Sequence, residues 1–522
     1  MMRRVVLGGA LLLLGCSDSD LPPLGEALIV VDTNAPVPRL AARLRIDVYA
    51  EDGTWLDSRD LPMRRRADWP GSFSVYIDAA TDERTALVRL RTYAEDKIRD
   101  YRGERFAARP QGADPALFLE VPAGDDQPRL LRDGHDITPA TEPLPEVAID
   151  RLIRVHLVDG ERGSTRVLLD VTCAGSMADL AGGRSCIDPD HLLEPLGEVA
   201  IEPDMTIPSE SIGESDLTVS RGCNGEPRPS TGAPVYDGEV CVSGGMFFLG
   251  SLDFVGAVVA GGEEPETREL NIPGFLSVPE RVAIVPPMFF DTYEVSVARW
   301  RRAVEVDGFV PPDLTPDRNE GPLATTAVGL TDPRVLCTWS IAPRGREEYP
   351  VNCITWQTAR SFCQFYGGDL PTEAQWEHAA AAADRDTETR FPWGMDFPAC
   401  EQAVVGRIDN VVQLGESNEC VYLGFGPQPI GASLNDVTAS GVVGIGGSVA
   451  EWVLDSFRSF RTNCWAAQGI LDPVCWEDNA GYRSYRGGEW RGLRTYTRPT
   501  VRTGSAIDNI GWLFGFRCVR RS

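Results

Sequence analysis

Pro350-Val-Asn-Cys-Ile-Thr-Trp356 and Gly368-Asp-Leu-Pro-Thr-Glu-Ala-Gln-Trp-Glu377 decide how the second half of this chain is read. Trp356, Ala359, Cys363 and Tyr366 recur at spacings of three or four, which places them on one face of a helix. Gly367-Gly368 can end that helix by taking a positive φ. Thr372-Glu-Ala-Gln375 is a capping box preceded by Pro371, and it opens a second helix that Trp376 and Ala379 to Ala382 continue. Read alone, the aromatic residues here are core.

Further blocks lie on either side. In chain order they are Val242-Ser-Gly-Gly-Met-Phe-Phe-Leu-Gly-Ser251, Phe289-Phe-Asp-Thr-Tyr-Glu-Val-Ser296, Phe391-Pro-Trp-Gly394, Gly446-Gly-Ser-Val-Ala-Glu-Trp452, Arg486-Gly-Gly-Glu-Trp490 and Gly515-Phe-Arg-Cys518. Together with the opening stretch they resemble, in order, the motifs of the formylglycine-generating-enzyme (sulfatase-modifying-factor) family. The resemblance covers residues 236–522 and implies a loop-rich α+β domain related to C-type lectins.

What the resemblance implies for chemistry turns on one segment. In active members a cysteine pair follows the Arg-Gly-Gly element, binds copper(I), and uses oxygen to oxidise a substrate cysteine to formylglycine. Soft thiolates select that ion. Here the segment reads Gly487-Gly-Glu-Trp-Arg-Gly-Leu-Arg-Thr-Tyr-Thr-Arg-Pro-Thr-Val-Arg502, with no cysteine between Cys475 and Cys518. The expectation is a pseudoenzyme with no catalytic residue and no copper, used to bind a protein, peptide or glycan. The alternative is an enzyme of altered chemistry on the same scaffold. The segment places Trp490, Arg491, Arg494, Tyr496, Arg498 and Arg502 where the enzymes bind their substrate peptide, and arginine and aromatic side chains suit an interface. The same arginines have a second reading, as partners of the chain's own carboxylates. The family also implies a calcium site, matched here by Glu451 with the carbonyls of Gly447 and Val449, a hard-oxygen set. Ser448 replaces the family's asparagine, and a plain surface turn with Glu451 bonded to backbone is the other reading. Related sulfoxide synthases join this fold to a helical domain with a three-histidine iron site. The N-terminal half here is strand-rich, and its histidines are not at helical spacing.

The chain has thirteen cysteines. Adjacency suggests Cys173–Cys186, Cys223–Cys241, Cys337–Cys353, Cys400–Cys420 and Cys464–Cys475, although sequence alone leaves connectivity open. The family resemblance implies the remaining pair, Cys363–Cys518. Such pairing suits an oxidising compartment.

The beginning of the chain points the same way. Arg3 and Arg4 precede an apolar run, Val5 to Leu14, too short to cross a hydrocarbon layer of roughly 30 Å as a helix. Leu13-Leu14-Gly15-Cys16 resembles the lipobox of bacterial lipoproteins, so residues 1–16 are expected to be a signal peptide with Cys16 lipidated. Residues 17–26 are then a tether, and Ser17 suits the outer rather than the inner membrane. The net charge of −27 argues against nucleic acid as a partner.

Between tether and family-like domain, Ala27–Asp32, Leu44–Tyr49, Ser72–Ile77, Ala86–Tyr93, Leu152–Leu157 and Arg166–Val171 read as short strands, several alternating with period two. Turn signals stand at Glu51-Asp-Gly-Thr54 and Asp159-Gly160. Residues 27–212 are therefore expected to form a half-buried antiparallel β-sandwich with a loop-rich extension, without a catalytic constellation.

Overall fold

The computed structural model describes residues 6–8, 25–77, 83–101, 128–191, 194–203, 206–208, 210–251, 277–312, 318–326, 332–407, 412–413, 416–417, 419–466 and 468–522. Cys16, and all of the expected tether but Gly25 and Glu26, lie outside them. Two compact units divide between Thr218 and Val219.

The first unit is β-rich. One four-stranded sheet orders β1 (Val6–Gly8), β5 (Gly71–Tyr76), β2 (Glu26–Thr33) and β8 (Arg162–Leu169). A second orders β7 (Ile149–Val158), β6 (Glu83–Tyr93), β3 (Arg43–Ala50) and β4 (Trp55–Pro62). The β3–β4 hairpin closes at the expected turn, with Gly53 at φ 84°. Two features depart from expectation. The Asp159-Gly160 turn does not join a hairpin. The chain crosses there to the other sheet, where β8 runs parallel to β2. A turn signal specifies a reversal, not the next partner. The polar side chains that alternate along β3, β6 and β7 are also not solvated: Arg45, Asp47, Arg89, Arg91 and Asp150 are all buried. They neutralise one another, with Arg89 Nε 2.9 Å from Asp150 Oδ1 and Arg91 donating to Asp47 at 2.8 Å. A buried charge is costly unless it is paired in this way.

The second unit begins at Val219 rather than 236. Cys223 is bonded to Cys241, and Arg221 and Gly244 exchange backbone hydrogen bonds, so the Pro- and Gly-rich run 219–235 belongs with β9 (Glu239–Val242). β9 pairs with β12 (Met288–Asp291), which pairs with β17 (Val519–Arg521), bringing the two ends of the unit together. β10 (Gly245–Leu249) and β11 (Arg281–Val285) form a separate ladder. α2 (Trp356–Phe365) starts at Thr355, whose hydroxyl accepts from Thr358 N–H, and buries Trp356, Ala359, Phe362 and Cys363. Full burial of a side chain such as Phe362 is worth about 1.5–3 kcal/mol. Gly367, at φ 79°, stops the helix. α3 (Glu373–Glu377) opens with the Thr372–Gln375 capping box and continues into a buried π-helical turn over His378–Ala382. A four-stranded sheet follows, ordered β15 (Arg502–Ala506), β14 (Tyr482–Arg486), β13 (Ala450–Ser456) and β16 (Phe514–Gly515). α1 (Val297–Arg302) packs Trp300 into the same core as Trp356, Phe362 and Trp452.

Six disulfides join Cys173–Cys186, Cys223–Cys241, Cys337–Cys353, Cys363–Cys518, Cys400–Cys420 and Cys464–Cys475. Cys363–Cys518 fastens α2 to the C-terminal strand across a separation of 155 residues. Closing a loop of that length removes about 5 kcal/mol of chain entropy from the unfolded state.

Candidate functional site

The site segment leaves β14 at Arg486 and returns as β15. Its start is pressed onto the turn 445–448: Gly488 N–H donates to Gly446 O at 3.1 Å and Trp490 N–H to Ser448 O at 2.9 Å. A Cβ on Gly488 would stand 2.5 Å from Gly446 O, so only glycine allows the approach. Trp490 then turns inward. It is fully buried against Phe425 and Trp512, with both ring centroids 5.2 Å away.

At the other end, Arg502 faces Arg486 across the β14–β15 register, and both are fully buried. Arg502 donates to Glu373 Oε1 at 2.7 Å, Arg486 pairs with Glu377, and Ser484 Oγ donates to Glu373 at 2.6 Å. Burial pushes the Glu373 carboxyl up, but Arg502 and Arg486 outweigh it and hold the group below the usual carboxylate range. Trp490 and Arg502 are therefore corrected: they are interior residues, withdrawn from any binding surface by sheet register and by carboxylates waiting in the core.

The other four remain at or near the surface. Arg491 is exposed, its guanidinium 5.7 Å from the Trp512 ring. Arg494, Tyr496 and Arg498 are half-buried. Arg494 stands 4.9 Å from the Phe397 ring and donates to Pro398 O at 3.3 Å, and Arg498 lies 5.9 Å from Phe391. The structure thus brings Arg498 onto the Phe391-Pro-Trp-Gly394 loop and Arg494 onto Phe397 and Pro398 just after it. There Phe391 and Trp393 stack at 5.5 Å, and Arg385 holds Pro392 O from behind at 2.5 Å. Glu489 occupies the place of the family's serine. The residue is partly exposed but its carboxyl is enclosed, and it accepts from Arg491 N–H at 2.6 Å. Burial pushes that carboxyl up to about 7.

One residue beside the site was missed. Gly406 N–H donates to Gly492 O at 2.9 Å and Arg407 N–H to Trp490 O at 2.7 Å, laying this short stretch against the segment. Arg407 is 4% exposed, and burial holds its guanidinium below the usual arginine range. It falls in none of the family blocks, so no motif pointed to it.

The copper chemistry of the family does not fit these residues. Segment 487–502 carries no thiol, and all twelve cysteines among the described residues are in disulfides. The calcium set does not fit either. Glu451 accepts from Arg517 Nε with both oxygens at 2.8 Å and from Trp376 Nε1 at 2.7 Å, at zero exposure, so its lone pairs are engaged. Gly447 and Val449 are buried beside it. Nearby, the buried carboxyls of Glu294 and Asp436 each keep one oxygen without a hydrogen-bond partner, and burial pushes them up to about 8 and about 7. Among the described residues no group of three or more His, Cys, Asp or Glu side chains forms a metal site.

Comparison with known proteins places this geometry. The chain is 28% identical over 177 residues to the inactive C-alpha-formylglycine-generating enzyme 2 of Bos taurus, a match covering 34% of this chain and 51% of that protein. It is 26% identical over 321 residues to the hercynine oxygenase of Mycolicibacterium smegmatis, covering 55% and 65%. It is 24% identical over 313 residues to the formylglycine-generating enzyme of Thermomonospora curvata, covering 54% and 93%. It thus spans less than two-thirds of the length of the first two. Residues 226–522, more than half of the chain, match the sulfatase-modifying factor enzyme 1-like domain model, and the chain belongs to that family.

Proposed function

We propose that this is an exported protein, anchored in the outer membrane through lipid on Cys16, whose family domain binds a partner instead of oxidising a thiol. One observation carries the reading: the segment that holds the copper-binding cysteines in active members holds none here, and every cysteine among the described residues is already in a disulfide. Where the enzymes need thiolates, this chain presents arginines over an aromatic loop. Its likeness to proteins named as inactive formylglycine-generating enzymes supports the same reading. The family domain is read as C-type-lectin-like, a fold that displays loops, and the first unit as a β-sandwich serving as a binding or spacer module.

The test is the metal content of residues 17–522 produced in an oxidising compartment, measured by elemental mass spectrometry. The expected result is copper and iron below one-tenth of an equivalent. Stoichiometric copper or iron would overturn the binding reading and favour an enzyme of altered chemistry, to be followed by oxygen uptake with thiol peptides. For the anchor, the full chain expressed in a bacterium with a lipoprotein pathway should incorporate labelled fatty acid and fractionate with the outer membrane. Cys16→Ser should abolish the labelling, and persistent label on that variant would refute lipidation at this residue.

A further inference from the structure

We infer that the loops around Arg407, Arg491 and Arg494 recognise an extended acidic segment of a partner protein, in which Asp or Glu side chains alternate with apolar ones. This rests on the binding reading above and adds the chemical class of the partner.

The first support is charge. The chain carries 77 acidic and 50 basic residues, and the other arginines of the segment's ends, Arg486 and Arg502, take carboxylates. The guanidinium groups of Arg407, Arg491 and Arg494 do not: among the described residues no carboxylate oxygen comes within 4.0 Å of their nitrogens. The carboxyls close by are engaged elsewhere. Glu401 accepts from the Tyr422 hydroxyl at 2.8 Å, and Glu489 turns back to its own loop, accepting from the Arg491 N–H at 2.6 Å.

The second support is burial. Arg407 is 4% exposed and its Nε has no hydrogen-bond partner. A guanidinium taken out of water without a counter-charge is destabilising. It is satisfied by a carboxylate, which accepts two parallel N–H bonds from the planar fork. Arg407 is tied through its backbone to Trp490, next to Arg491, and Arg494 lies on Pro398, two residues from the Cys400–Cys420 bridge that clips these loops together.

The third is the apolar surround, which selects polypeptide over glycan or free phosphate. Met395 is 61% exposed and Phe397 50%, on the loop that Arg494 touches, Tyr422 is 66% exposed beside Glu401, and Leu434 is 67% exposed on the stretch that Gln402 holds through Asn435 O. Arginine beside aromatic and Met side chains is the composition of protein interfaces. A site for sugar or phosphate has no use for Met395 and Leu434.

A displayed library of random 12-residue peptides, panned on the full chain, tests this. Wild type should enrich peptides with Asp or Glu next to Leu, Phe or Met. An enriched peptide should lose at least tenfold in affinity when its acids become amides, and several-fold between low and high salt. Arg491→Glu with Arg494→Glu should abolish the enrichment with the melting temperature unchanged. Arg407→Met should weaken binding at least tenfold while holding or raising the melting temperature, the mark of a cation kept for a ligand rather than for the fold. Enriched peptides without acidic residues would overturn the acidic class and leave the binding reading standing. Binding of a sulfated or uronic-acid oligosaccharide at these arginines, without peptide enrichment, would overturn it in favour of glycan. No enrichment at all would overturn it too. The binding reading is tested separately by the metal content.

Discussion

Arg502 and Arg494 belong to one basic segment, yet they do opposite things. Arg502 lies on β15 in register with Arg486, and the strand aims it at Glu373 in the interior. Arg494 lies in a short 3-10 turn that rests on the 391–398 loop and meets an aromatic face instead of a carboxylate. Both are arginines in a chain of excess negative charge, so composition cannot tell them apart. Backbone context does. A strand inside a sheet commits alternate side chains to the core, and a cation sent there is costly unless acceptors are in place, for Arg502 a counter-charge. A turn over a loop buries only its inner side chain, here Thr497, and leaves the Arg494 guanidinium without a counter-charge and available to a ligand. The segment divides into a structural base, Trp490 and Arg502, and a crest, Glu489 with Arg491, Arg494 and Arg498.

The sharpest way to break that division is at its base. Arg502→Met leaves Glu373 buried beside Arg486 alone, with that guanidinium shared with Glu377. The loss should be about 3–5 kcal/mol, read as a fall in the urea midpoint. Replacing Glu373 by Leu in the same chain should recover much of it, because an apolar pair of similar volume replaces an orphaned charge. A loss under about 1 kcal/mol for the single variant would mean that the base is not held by this pair.

A smaller effect separates interior from crest by pH. Burial raises Glu294 and Asp436 from ordinary values of 4.5 and 3.8 to about 8 and about 7, and raises Glu489 at the crest to about 7. The folded chain therefore keeps protons that the unfolded chain releases as pH climbs from about 4 to about 8. Their contribution is fully present below the unfolded values and is lost as pH rises through the folded ones. The melting temperature should thus be higher near pH 5.5 than near pH 8.5. Glu294→Gln should flatten the slope more than Glu489→Gln, since Glu294 is raised further. Equal flattening by the two would place crest and interior in one electrostatic environment.

Much of the second unit was legible because its signals are local. The Thr372–Gln375 capping box, the Gly367 stop and the helical spacing from Trp356 to Tyr366 each depend on a handful of neighbouring residues. What escaped depends on register and cover. Alternation along β3 and β6 marks one face as polar, but it cannot say that Trp55, Tyr101 and residues 128–143 cover that face and turn Arg45, Asp47 and Arg91 into a buried network. The parallel pairing of β8 with β2 lay beyond a turn signal for the same reason. Within the site segment, residue type promoted Trp490 and Arg502 to the surface, and only the β14–β15 register and the fit against Phe425 and Trp512 sent them inward. Arg407 enters the site through two backbone hydrogen bonds to a segment far along the chain, which no spacing rule reaches.

The smallest expected effect is also the most discriminating. Arg494→Ala removes a contact with the Phe397 ring and one long hydrogen bond to Pro398 O, while water takes up the freed groups. A half-buried cation–π contact is worth about 0.5–2 kcal/mol, and the alanine recovers side-chain entropy, so the net loss should be about 1 kcal/mol or less. Arg491→Ala, which removes only a looser contact over Trp512, should cost less still. Urea denaturation of the two variants beside Arg502→Met measures the contrast directly. If Arg494→Ala approaches the loss at Arg502, the crest props the fold as the base does, and its arginines are spoken for. If it stays near zero, the protein holds a cation at its surface that its own stability does not require, and the reason for it has to be sought in what the loop meets.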